Sequence, residues 1–305
     1  MAEGGGRDES RCGFIALIGA PNVGKSTLIN ALVGSKVAIV SHKVQTTRAL
    51  LRGIAIVGSV QLIFIDTPGI FAPKRRLDRA MVTNAWTGAH DADIAAVLID
   101  ARRGLDDETS ALFEHLAEVR QPKILLINKI DLVEKPTLLA LAKSATEGAD
   151  FAATFMISAL TGDGVADIKS WLAARVPAGP WHYPADQITD APLRQLAAEI
   201  TREKLYLRLH QELPYQSTVE TDQWKERKDG STRIEQTIYV ERESQRKIVL
   251  GKGGATIKAI GAEARREIAD MIEKPVHLFL FVKVRERWGD DPERYRGIGL
   301  EFPKE

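Results

Sequence analysis

The residues Gly19-Ala20-Pro21-Asn22-Val23-Gly24-Lys25-Ser26 carry the spacing G-x-x-x-x-G-K-S/T, in which backbone N–H groups converge on phosphate oxygens. The helix that follows adds its positive end. Lys25 would meet the β and γ phosphates, the Ser26 hydroxyl would ligate Mg²⁺, and Thr27 continues the loop into the helix. A second acidic signal, Asp66-Thr67-Pro68-Gly69, follows an apolar run, where ligands of open parallel sheets bind. Asp66 would hold Mg²⁺ through its water shell, and the Gly69 N–H could approach a γ-phosphate. Base choice falls to Asn128-Lys129-Ile130-Asp131: the Asp131 carboxylate can accept from N1–H and the exocyclic amine of guanine, an edge adenine lacks. Lys129 would lie along the base face. Ser158-Ala159-Leu160 could offer the Ala159 N–H to the guanine O6. A bare turn at 66–69 and a polar helix cap at 128–131 are the blander readings, but four signals in this order at successive strand ends argue for GTP and GDP.

A loop of another kind stands far downstream. Gly251-Lys252-Gly253-Gly254 lies between two helix-like stretches, and from Arg242 to Arg266 seven cations face two acids, an excess of five. The chain as a whole is nearly neutral, with 42 basic and 41 acidic side chains. The excess is therefore local, and a basic groove of this sort suits a nucleic-acid backbone.

The elements that must position these loops are legible from periodicity. Apolar runs at 14–19, 53–57, 60–65, 94–99, 123–127 and 152–157 alternate with helical patterns at 26–33, 78–89, 106–119, 136–147 and 165–175. That alternation predicts an α/β domain with a mostly parallel sheet. The Gly58-Ser59 turn predicts one antiparallel pair at its edge. Three prolines in eight residues, Pro177 to Pro184, end the pattern and read as a linker. Beyond it come a helix at 192–210, strands at 217–225 and 232–240, helices at 245–250 and 256–271, and a last strand at 276–284, an α+β domain. The expected divisions are a disordered tail at 1–13, a nucleotide domain at 14–176, a linker at 177–190 and a second domain at 191–305.

Composition excludes several classes. A single cysteine among 305 residues rules out a disulfide framework, and the six histidines lack metal-ligand spacing. No apolar run approaches the ~20 residues that span a bilayer. The first ten residues have no apolar core, so they do not read as a signal peptide. A cytoplasmic protein is expected.

The nucleotide motifs resemble the TRAFAC class of GTPases, and Val44-Gln45-Thr46-Thr47-Arg48 is similar to the mobile first switch of its Era-like family. The resemblance implies that one of the paired threonines ligates Mg²⁺ when GTP is bound; analogy favours Thr47. It also implies that Asn22 holds a K⁺ ion in place of an arginine finger, although turn geometry after Pro21 accounts for the asparagine equally well. Ile70 stands where Ras-type GTPases carry the glutamine that orients water. Slow intrinsic hydrolysis, raised by RNA or a ribosomal partner, is expected, with Lys25, Thr47, Gly69 and Asn22 as the catalytic set.

The stretch from Lys247 to Lys258 resembles the core of a type II KH domain, whose GXXG turn clamps a single strand. Arg246, Lys247, Gly251, Lys252, Gly253, Gly254 and Lys258 would contact RNA. Leu213-Pro214-Tyr215, the strand from Ser217 and Val240-Glu241-Arg242-Glu243 also resemble the Era-like family. The likeness runs from Phe14 to Trp288, and Arg296-Gly297-Ile298-Gly299-Leu300 keeps part of the family ending. It implies a monomer that binds the 3′ end of 16S ribosomal RNA, assists assembly of the 30S subunit and associates peripherally with the inner membrane. GTP would order Thr46, Thr47 and the loop after Gly69 and reposition the KH domain. The alternative is a GTP-regulated signalling or membrane-surface protein whose KH-like domain binds a protein.

Overall fold

The computed structural model describes residues 10–41, 47–48, 50–73, 76–209, 217–286, 300 and 302. Thr46, His42, Leu213-Pro214-Tyr215, Trp288 and the stretch from Arg296 to Gly299 lie outside them, as do residues 1–9 of the expected tail.

The first compact unit is built on a six-stranded sheet in the order β2-β3-β1-β4-β5-β6. Its strands are β1 (Arg11–Gly19), β2 (Leu51–Val57), β3 (Val60–Asp66), β4 (Ile94–Asp100), β5 (Lys123–Asn128) and β6 (Ala153–Ile157). All neighbours are parallel except β2 and β3, the antiparallel edge pair joined at Gly58-Ser59. Helices α1 (Lys25–Val33), α2 (Arg76–Asp91), α3 (Asp107–His115), α4 (Lys135–Gly148) and α5 (Val165–Ala173) connect the strands. Every residue of β3 and β4 is buried, as expected of strands covered on both faces. The apolar residues split accordingly: Leu17, Leu28, Phe64 and Leu126 belong to one core cluster, and Ala16, Ile18, Val97 and Leu112 to another.

β1 starts earlier than its apolar run. Arg11, Cys12 and Gly13 continue the parallel ladder opposite Val60, Gln61 and Leu62, so the tail expected over 1–13 ends before Arg11. Alternation of a polar, a small and a glycine residue hides this extension from hydropathy, while backbone pairing sustains it.

Residues 177–190 are docked on this unit. Ile188 O accepts from Ile54 N–H on the edge strand β2 at 2.9 Å, and Asp190 pairs with Arg52 at 2.7 Å. The wholly buried Gln61 side chain accepts from the N–H groups of His182 and Tyr183 and donates to Tyr183 O at 2.8 Å. The Trp181 indole N–H donates to Ser59 O at 3.0 Å. Covering an edge strand in this way blocks further pairing.

The second unit starts at Ala191 and also takes in residues 39–41 and 76–77. Its sheet has the order β7-β8-β9, from β7 (Ser217–Glu226), β8 (Thr232–Val240) and β9 (Val276–Val284); β7 and β8 are antiparallel and β8 and β9 parallel. Helices α6 (Leu193–Arg208) and α8 (Ala255–Ile272) pack on one face, where Leu205, Ile238 and Ile260 are buried. The parallel pair requires a crossover, supplied by α7 (Glu243–Leu250), a short 3-10 turn and α8. Within this unit, Val40 N–H donates to the Glu203 carboxylate of α6 at 2.8 Å, and Lys204 bridges Glu203 to Glu267 of α8.

Candidate guanine-nucleotide site and RNA-binding turn

The nucleotide motifs meet at the carboxyl ends of β1, β3, β5 and β6. Hydrophobic β1 runs straight into the glycine loop, which opens α1 at Lys25 with Gly24 in a left-handed conformation (φ 104°). A Cβ on Gly24 would come within 2.3 Å of the Asn128 amide nitrogen, so only glycine fits. Lys25 is buried, and its ammonium donates to the carbonyls of Gly19 at 2.9 Å and Ala20 at 3.0 Å. Thr67 donates its hydroxyl to Leu17 O at 2.6 Å, fixing the start of 67–69, and Gly69 lies tightly against Pro21.

Ser26, Thr47 and Asp66 converge. Asp66 Oδ2 accepts from the Ser26 hydroxyl at 2.9 Å and the Thr47 hydroxyl at 3.0 Å, and the two hydroxyls are 3.0 Å apart. The other carboxylate oxygen, Oδ1, is buried without a hydrogen-bond partner. A buried carboxylate oxygen with no donor, beside two hydroxyls, fits a hard divalent cation of the Mg²⁺ type completed by phosphate oxygens and water. Burial pushes the Asp66 carboxyl above the usual range, opposed by the Lys25 ammonium and the two hydroxyls.

Burial also pushes the Lys25 ammonium down to about 8, with Asp66 opposing. An anionic phosphate beside it would raise that value again. Affinity for GDP is therefore expected to be flat below pH 8 and to fall roughly tenfold per pH unit above it, as free Lys25 loses its proton. For the fold the sign is the usual one for a lowered pKa: the stability due to this group is present above 10.5 and lost as pH falls through about 8. Titration of a fluorescent GDP between pH 7 and 9.5 checks the first statement, and equal affinity at both ends would contradict it.

Asn128 is braced rather than aimed at a ligand. Its amide donates to Val23 O at 2.8 Å, and its carbonyl oxygen accepts from Ala159 N–H at 2.9 Å, tying three loops together. Ser158 is buried and its hydroxyl oxygen accepts from Thr161 N–H, while Leu160 is exposed. Asp131 lies exposed in the 3-10 turn Ile130–Leu132. Lys129, at a positive φ of 67°, stretches to the phosphate loop and donates to Asn22 O and to Asp100 Oδ2, each at 2.6 Å. Asp100 was not among the sequence candidates. It ends an apolar strand just as Asp66 does, and that was the available signal. Ile70 is half-buried against an apolar cluster, and its N–H donates to Gly19 O at 3.0 Å, so it offers nothing to orient water.

In the second unit, α7 ends at Gly251 (φ 72°), whose Cβ position would clash with Thr256 Oγ1 at 2.2 Å. Gly253 and Gly254 also have positive φ, and nothing lies within 4 Å of where their Cβ would be. The turn is thus an open glycine surface at the start of α8. Lys247, Lys252 and Lys258 are exposed around it, and Arg246 is held by Glu243 at 2.9 Å. Glu263, one of the two local acids, is paired with Arg208 and does not neutralise this turn.

Comparison with known proteins supplies the frame. Residues 14–129 match a family described as 50S ribosome-binding GTPase, and residues 212–289 match the KH domain. The chain is 72% identical over 297 residues to the GTPase Era of a Bradyrhizobium species, covering 97% of this chain and 96% of that protein. It is 66% identical to the GTPase Era of Rhizobium meliloti over 295 residues, 97% of this chain and 94% of that protein. A crystal structure of Era with MgGDPNP and nucleotides 1506–1542 of 16S ribosomal RNA superposes with a TM-score of 0.91 at 36% identity, covering 95% of this chain and 99% of that one. An Aquifex aeolicus Era variant bound to GDP and aluminium fluoride gives 0.90, also at 36% identity and over 95% and 99% of the two chains.

Proposed function

The chain belongs to the GTPase Era family, and on that premise we propose that it is a slow, Mg²⁺-dependent GTPase switch that binds the 3′ end of 16S ribosomal RNA and assists 30S assembly. The observation that carries the nucleotide half is the convergence of Ser26, Thr47 and the half-satisfied Asp66 beside the buried Lys25. The RNA half rests on the open, lysine-flanked turn at 251–254 together with the Era–RNA complex. The proposal extends to a monomer that works in the cytoplasm and meets the inner membrane peripherally. No helix among the described residues is long and apolar enough to cross a membrane.

Each residue has a physical task. Lys25 gives up two carbonyl partners for the β and γ phosphates, exchanging neutral acceptors for charged ones. Ser26 and Thr47 offer oxygens to the ion and Asp66 anchors them; when bound, the ion would neutralise charge on the phosphates. The Gly69 N–H would donate to the γ-phosphate, and its close approach to Pro21 leaves room there only for a glycine. Asp131 selects guanine, while the Ala159 N–H, expected from the sequence to meet the guanine O6, is instead held by the Asn128 carbonyl oxygen and braces the base loop. With Ile70 packed away, hydrolysis relies on positioned charge, which gives Asn22 a place for K⁺ at the head of the loop.

Hydrolysis assays test this reading. GTP, and not ATP, is expected to be hydrolysed with Mg²⁺ present, faster in K⁺ than in Na⁺, and Asn22→Ala is expected to abolish the difference between the two ions. Equal rates in K⁺ and Na⁺ would remove the ion's role, and equal turnover of ATP would remove the guanine assignment.

A further inference from the structure

Lys129 is held from two sides. Its ammonium donates to Asn22 O on the phosphate loop and to Asp100 Oδ2 at the end of β4, both at 2.6 Å. The Asp100 side chain is 2% exposed. Its position is fixed: it pairs with Asn128 across the β4–β5 ladder, and its backbone carbonyl accepts from the N–H groups of Arg103 and Gly104 at 3.0 Å. Its second carboxylate oxygen accepts from Arg102 N–H at 3.0 Å, and Arg102 Nη2 reaches Oδ2 at only 3.4 Å. Lys129 is thus the close charged partner of a carboxylate that cannot move.

Ordering a lysine side chain costs rotamer entropy, and a bond to the neutral Asn22 carbonyl offsets less of that cost than a bond to a carboxylate does. The Asn22 carbonyl alone would hold the Lys129 stem less firmly. The bond to the buried Asp100 carboxylate joins two ionised groups, is the stronger of the two and tips the balance. Asp100 remains ionised there: burial raises its carboxyl, but the hydrogen bonds from Lys129 and Arg102 outweigh it and hold it below the ordinary range.

We propose that Asp100 is a positioning residue for guanine-nucleotide retention: by clamping the Lys129 ammonium against the phosphate loop, it sets the Lys129 methylene stem as a fixed wall along the base and slows nucleotide release. The inference rests on the guanine-nucleotide reading of the site. Asp100 does not touch the nucleotide itself. It acts through Lys129, and it joins the base loop to the phosphate loop from a third strand.

Stopped-flow release of mant-GDP from the full chain tests this with Asp100→Asn, Lys129→Met and the double variant. Asp100→Asn keeps an acceptor for Arg102 N–H but removes the charge; it is expected to speed release about tenfold, the fold-change of one lost charge-assisted bond. Lys129→Met is expected to speed release at least as much, and the double variant no further, because both act through one contact. Asp100→Glu, which restores the charge, is expected to recover part of the slow release. Release unchanged in Asp100→Asn, or effects of the two substitutions that multiply, would overturn the proposal. A merely structural Asp100 would lower the unfolding midpoint of the nucleotide-free chain while leaving release untouched, and that result also overturns it. If the unsubstituted chain fails to retain mant-GDP, the guanine reading itself fails; retention by that chain with no effect of the substitutions defeats this inference alone.

Discussion

Asp131→Asn is expected to weaken GTP binding by roughly a hundredfold or more while making xanthosine triphosphate the better ligand. The Asp131 carboxylate is acceptor-only and sits exposed in the turn after Lys129, where N1–H and the exocyclic amine of guanine can both donate to it. An asparagine turns one acceptor into a donor, which faces the guanine amine donor to donor. Xanthine carries a carbonyl in place of that amine, so the asparagine N–H gains an acceptor and the pairing is restored. The rest of the site does not have to move, because Asn128 still ties the loops through Val23 O and Ala159 N–H. Competition of GTP and xanthosine triphosphate against a fluorescent GDP measures the swap. Unchanged GTP affinity would place the base elsewhere.

Gly253→Asp is expected to reduce affinity for a short single-stranded RNA carrying the 16S 3′-terminal sequence by about tenfold or more while the chain stays folded. Gly253 has a φ of 59°, a conformation that aspartate tolerates better than most residues, and open space surrounds its missing side chain. The substitution puts a negative charge where the glycine turn would meet a phosphate, among Lys247, Lys252 and Lys258. Because backbone affinity is electrostatic, the slope of log affinity against log salt should also become shallower. Gly251→Ala would not report the same thing: its clash with Thr256 strains the fold itself. Fluorescence anisotropy at several salt concentrations, with circular dichroism as the folding check, decides the matter.

What was legible in the sequence was what is local. The phosphate loop is one contiguous segment whose chemistry depends on its own spacing, and Asp66, Asn128 and Ser158 stand at the ends of apolar runs that mark buried parallel strands. The two-domain order and the antiparallel edge pair followed from periodicity and the Gly58-Ser59 turn, and both are present in the structure. What was not legible depends on distant partners. The Asp100–Lys129 pair joins residues on neighbouring strand ends, and no local pattern marks it. The docking of 177–190 depends on Gln61, a polar residue inside an apolar strand whose side chain makes three hydrogen bonds to residues 182 and 183, more than a hundred positions away. The early start of β1 was hidden by Arg11 and Gly13, which carry no hydropathy signal. Asn128 looked like part of the base-reading set, and only its partners reveal a brace.

We propose that nucleotide state and RNA affinity are coupled in this chain. Within the second unit, Val40 N–H is hydrogen-bonded to Glu203, and Lys204 links that glutamate to Glu267 of α8, the helix that opens at the glycine turn. Linkage requires that any gain in RNA affinity caused by GTP be matched by the same gain in GTP affinity caused by RNA. The direct measurement is the affinity of the full chain for the 16S 3′-terminal RNA, taken once with a non-hydrolysable GTP analogue and once with GDP. Binding is expected to be at least several-fold tighter with the GTP analogue; equal affinity in the two nucleotide states would show that the two sites are uncoupled.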